Sequence, residues 1–196
     1  MSAAVLTVCA ACTSTAPAPS PAAPSTSVPT TTPAVPSAQP TVTPGAPGIP
    51  RGVGPDGRVD GSDASAVGAA FAVATFSYDT AIDVSPSDAQ RRSAEFATPT
   101  YAAALRTPLA QGGGARFNEL AAHHGYTTVA LAENHDDGRP PDTSTTAVRS
   151  WTETSTGHGD DGWSAPMGSA VLFVTLTRAT AASPWQVASV QIPSAN

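Results

Sequence analysis

Both cysteines of the chain fall in one short stretch, Cys9-Ala-Ala-Cys12. A Cys-x-x-Cys pair can run thiol–disulfide exchange or supply half of a zinc site, and a single acylated cysteine can hold a protein at a membrane. Redox chemistry needs the pair at the start of a helix packed in a βαβ unit. No such pattern follows. A zinc site needs two further ligands, and the first histidine of the chain is His123. Acylation of Cys12, chance and, least favoured, redox or metal chemistry are the readings the pair leaves open.

Two loops invite a metal reading: "NHDDGRPPD", with His135, Asp136, Asp137 and Asp142, and "GHGDDGW", with His158, Asp160 and Asp161. If successive strands join as hairpins, the two loops lie at opposite ends of a shared strand and cannot hold one ion. Each loop alone offers few ligands, and Asp-Gly is ordinary turn chemistry, so no metal is expected. His123 and His124 precede Gly125 at an expected helix end, where imidazolium suits the dipole and the capping role is favoured. Tyr78, Asp79, Asp83 and Tyr101 are the residue types of an acid–base site. A working dyad needs a carboxylate displaced by burial, whereas Asp79 and Asp83 are expected to face solvent and Tyr78 to sit in the core. Trp151, Trp163 and Trp185 are expected in a sheet and its rim, with an exposed Trp163 marking a partner contact. No phosphate loop, nucleophile elbow or Ser-His-Asp order occurs. No catalytic residue, metal ligand or cofactor-binding residue is therefore expected.

The elements that must position these residues begin late in the chain. Twelve of the twenty prolines lie between Pro17 and Pro55, in a stretch of Ala, Pro, Ser and Thr. Such a composition buries too little apolar surface to offset the entropy of ordering, and it reads as a disordered, extended linker over 13–60. One domain, 61–193, remains. All nine basic residues are Arg, the net charge is −6, and no basic stripe is present, which argues against nucleic acid. No apolar run reaches the roughly 18 residues of a membrane span.

Within the domain, Val67, Phe71, Ala74, Tyr78 and Ile82 recur at helical spacing and predict an amphipathic helix over 63–82, capped by Asp60 or Ser62. Ser85-Pro86-Ser87-Asp88 starts a second helix running to Phe96, and Thr98-Pro99 a third that Pro108 ends. After Gly112-Gly113-Gly114, a short helix is expected over 117–122. Strands are predicted over 126–133, 143–156, 169–180 and 185–192, the third apolar on both faces and so central. This is an α+β plan: N-terminal helices packed on a curved, cone-shaped four-stranded antiparallel sheet, preceded by a disordered tail.

Residues 1–12 resemble the lipobox end of a bacterial lipoprotein signal, with Ala10-Ala11 before Cys12 and Cys9 where a leucine is usual. The basic n-region is missing, as if the start were placed too far downstream. The element order and the closing "SPWQVASVQI" resemble the nuclear transport factor two-like (cystatin-like) superfamily. The likeness extends to actinobacterial lipoproteins and to envelope domains of conjugation and type IV secretion scaffolds. It covers about residues 62–192 and is carried by no catalytic motif. The lipobox resemblance implies an exported signal-peptide protein, anchored through Cys12 by a palmitate-type lipid to the outer face of the cell membrane. Its domain would be non-catalytic and bind protein partners in a cell-envelope assembly. The alternative is a small-ligand carrier or enzyme using the pocket of the cone.

Overall fold

The computed structural model describes residues 50–53, 59–107, 113–135 and 138–193. Cys9, Cys12, Asp136, Asp137, Pro108 and most of the stretch read as linker lie outside the described residues. Among the described residues, four α-helices precede a four-stranded antiparallel sheet of order β1-β2-β3-β4, which does not close on itself. The α+β plan is as expected.

Helix α1 (Ala64–Phe76) starts where the Asp63 carboxylate accepts the Ser65 N–H. Its buried face is Ala64, Val67, Gly68, Phe71 and Ala72, an i, i+3, i+4 stripe laid across all four strands. The helix is shorter than the apolar spacing predicts. The Thr75 and Ser77 hydroxyls turn back onto the Phe71 and Val73 carbonyls, and the chain then pairs with the sheet. Tyr78 N–H donates to Thr127 Oγ1, and Thr127 N–H donates to the Tyr78 carbonyl. Tertiary pairing has overridden helical periodicity here, so Tyr78 and Ile82 do not belong to the helix.

Helix α2 (Pro86–Ser93) carries its predicted start: Pro86 leads, and Asp88 accepts the Ser85 N–H. A 3₁₀ turn, Ala94–Phe96, completes the segment. Thr98 Oγ1 caps α3 (Pro99–Arg106) through the Tyr101 N–H. Helix α4 (Gly114–Ala122) begins three residues earlier than predicted and ends with His124 in the left-handed region (φ 51°). Gly125 N–H then closes on the Leu120 carbonyl.

Strand β1 (Tyr126–Glu133) falls where it was predicted, whereas β2 (Thr146–His158), β3 (Ser164–Thr177) and β4 (Gln186–Gln191) shift at their ends. Ala147, Arg149, Trp151, Glu153, Ser155 and Gly157 of β2 face inward, with Leu172, Val174 and Leu176 of β3. Trp151 lies under α1 so closely that a Cβ on Gly68 would come within 2.6 Å of its ring. Burial of Trp151, Phe71 and the leucines supplies on the order of 2–3 kcal/mol each.

Candidate functional site

Three groupings of side chains carry chemical potential, and each is built by a different part of the fold. The first lies inside. Residues 77–83 leave α1 and run beside β1, which carries Tyr78, Asp79 and Asp83 into the protein. Asp79 and Asp83 are each 2% exposed, a correction to the expectation that both face solvent. Asp83 accepts the Asp79 N–H and is gripped by Arg92 of α2, whose Nη2 also donates to the Ser77 carbonyl. Burial raises the Asp83 carboxyl, and the Arg92 hydrogen bond works against that rise.

Glu153, which the sequence reading did not single out, is 1% exposed on the inner face of β2. Its Oε1 has no hydrogen-bond partner among the described residues. Burial raises its carboxyl, offset in part by a bond from Ser155. Tyr78 is pushed up to about 12 by burial first and then by the Glu153 and Asp83 carboxylates, and its ring meets Phe117 edge-on. The signal for Glu153 was its place in the alternation with Ala147, Arg149 and Trp151, which puts it on the Trp151 face.

The second grouping lies at the β1 edge, where α4 ends and the β2–β3 turn comes close. His123 Nδ1 is 2.7 Å from Asp161 Oδ2, and its ring stacks on half-buried Trp163 at 4.5 Å. His123 is thus both the expected helix cap and half of a hydrogen-bonded pair with Asp161 that the sequence did not show. Beside it, Arg51 binds the Asp79 carboxylate through Nε and Nη2, and Asp160 through Nη1 at 2.6 Å. Burial disfavours the Asp79 charge, but the Arg51 bonds and the Ala81 N–H outweigh it and hold the carboxyl below its ordinary value. His158 makes a separate contact with Thr128 Oγ1.

The two acidic loops expected to stay apart do so, at opposite ends of β2. Asp142 pairs with Arg149 at 2.6 Å, His135 is exposed, and the second loop divides its residues among Arg51, His123 and Thr128. Among the described residues no three His, Cys, Asp or Glu side chains converge as metal ligands.

The third grouping is an apolar cleft of about 150 Å3. It opens between α1, α2, α3 and the β4 edge and is lined by Phe71, Phe76, Tyr101, Leu105, Leu172, Val190 and Ile192. Tyr101 stacks on Phe71 with centroids 5.9 Å apart. Among the described residues no carboxylate lines it, and Asp79 and Asp83, the acids weighed with Tyr101, do not meet it. Ile192, at 52%, is the most exposed large apolar residue at the rim.

No protein-family model, curated protein or solved structure matches the chain. Among the described residues no helix is long and apolar enough to cross a membrane.

Proposed function

We propose that this is a non-catalytic, exported lipoprotein, anchored through Cys12 to the outer face of the cell membrane, whose domain binds an envelope protein partner. The observation that supports it is the apolar cleft beside β4. Pockets for drug-sized ligands run from about 300 to 1,000 Å3, whereas about 150 Å3 suits one benzene-sized group. A cleft of that size, without charge, is matched to a single large apolar side chain of a partner, the usual anchor of a protein interface. The nuclear transport factor two-like resemblance and the conjugation or secretion setting belong to the same proposal.

A second reading, a ligand-binding or enzymatic pocket, is favoured by the uncompensated Glu153 carboxyl. It would require substrate to reach Glu153 and Tyr78, which the cleft lining does not include. The test combines two variants of the full chain in its own cells. Cys12→Ala should lose both a palmitate-analogue label and membrane association. Ile192→Asp should keep both and lose the partner crosslinked to the wild type. Label and membrane association unchanged in Cys12→Ala would sink the anchor, and a partner retained by Ile192→Asp would sink the cleft.

A further inference from the structure

Pro50–Val53 falls inside a stretch whose composition argues for a linker, yet Arg51 within it makes a dense set of polar contacts with the domain. Arg51 donates its backbone N–H to Asp79 Oδ2 at 2.9 Å and its Nε and Nη2 to the same carboxylate at 2.9–3.1 Å. Nη1 reaches Asp160 at 2.6 Å, and Nη2 also reaches the His124 carbonyl at 2.8 Å. The guanidinium lies 4.9 Å from the centroid of the Tyr126 ring. These partners are 28, 73 and 109 residues away in sequence, so nothing local imposes the arrangement.

The pocket is shaped for this ligand. Two carboxylates, a helix-end carbonyl and an aromatic face match the planar, five-donor fork of arginine, which a lysine ammonium cannot reproduce. Asp79 is 2% exposed and meets no other cation among the described residues. Without Arg51 it would be a buried charge with no counterion, an arrangement that costs heavily. The next residue has to be glycine, because a Cβ on Gly52 would fall 1.8 Å from the Thr127 carbonyl oxygen.

We propose that Asp79, Asp160, the His124 carbonyl and Tyr126 form an arginine-binding site whose built-in ligand is Pro50–Val53, a strap that fixes where the chain joins the domain. The site stands at the β1 edge and the apolar cleft at the β4 edge, the two margins of the sheet. If the tethered reading holds, the tethered end of the chain enters the domain at the margin opposite the cleft. The pocket itself does not depend on that reading, and its test involves neither membrane nor partner.

Limited trypsin digestion of the full chain checks the strap directly, with mass spectrometry to identify the cut sites. Wild type should resist cleavage at Arg51–Gly52 under conditions that cut Arg106–Thr107, a bond between two exposed residues. Asp79→Asn should release Arg51 and expose its bond. Arg51→Ala should melt several degrees lower. The peptide acetyl-Pro-Arg-Gly-Val-amide at millimolar concentration should raise that melting temperature, the range expected when a tethered ligand is replaced by a free one. The citrulline analogue should not. Rapid cleavage at Arg51–Gly52 in the wild type would overturn the proposal whether or not the variants fold, and so would equal rescue by the citrulline peptide.

Discussion

Glu153 and Asp79 are both buried carboxylates, yet their surroundings push them in opposite directions. Burial raises the Glu153 carboxyl and no cation among the described residues holds its charge, so the folded protein binds its proton more tightly than the unfolded chain does. Its contribution to stability is complete below the ordinary value of 4.5 and is lost as pH rises through the raised folded value. Thermal melts from pH 4 to 9 should show the wild type losing stability relative to Glu153→Gln on the alkaline side; parallel curves would contradict this. Asp79 behaves inversely. Its bonds to Arg51 stabilise the fold above the ordinary value of 3.8 and fade as pH falls through the lowered one. The gap in melting temperature between wild type and Arg51→Ala should therefore narrow in acid. The types of Tyr78, Asp79 and Asp83 and the inward place of Tyr78 were legible in the sequence, but the burial of the two acids was not. Their partners Arg51 and Arg92 belong to other segments, and no spacing rule joins them.

Helix starts were legible where a single side chain makes them. Thr98-Pro99 and Ser85-Pro86 begin α3 and α2 as written, because capping is a local hydrogen-bonding event. The end of α1 was not legible, since its apolar spacing continues to Ile82 while the backbone pairs with Thr127. Strands β2 and β3 kept their order and lost their predicted ends. The 159–163 turn, where Gly159 N–H donates to the Trp163 carbonyl, sets those ends by its own geometry. The contact that fixes α1 on the sheet is Gly68 over Trp151. Alanine there would gain up to about 1 kcal/mol of helix propensity but force the ring aside, at roughly 1–3 kcal/mol. Gly68→Ala should be net destabilising in urea titration, and a stabilised variant would show that the crossing is looser than described.

At the scale of the molecule, composition separated a proline-rich stretch from one α+β domain, and element order gave the sheet. The cleft was beyond reach of sequence reasoning, because its lining comes from α1, α2, α3, β3 and β4 and converges only when they pack. The same holds for the strap: Arg51 reads as a linker residue until Asp79 and Asp160 stand beside it. The central claim is that this cleft holds a side chain of an envelope partner. Its most direct test is a photo-reactive residue at position 105, on the cleft wall, with a control at exposed position 130 on β1, irradiated in intact cells. A discrete adduct is predicted from position 105, absent from position 130 and abolished by Ile192→Asp. No adduct from position 105, or the same adduct from both positions, would contradict it.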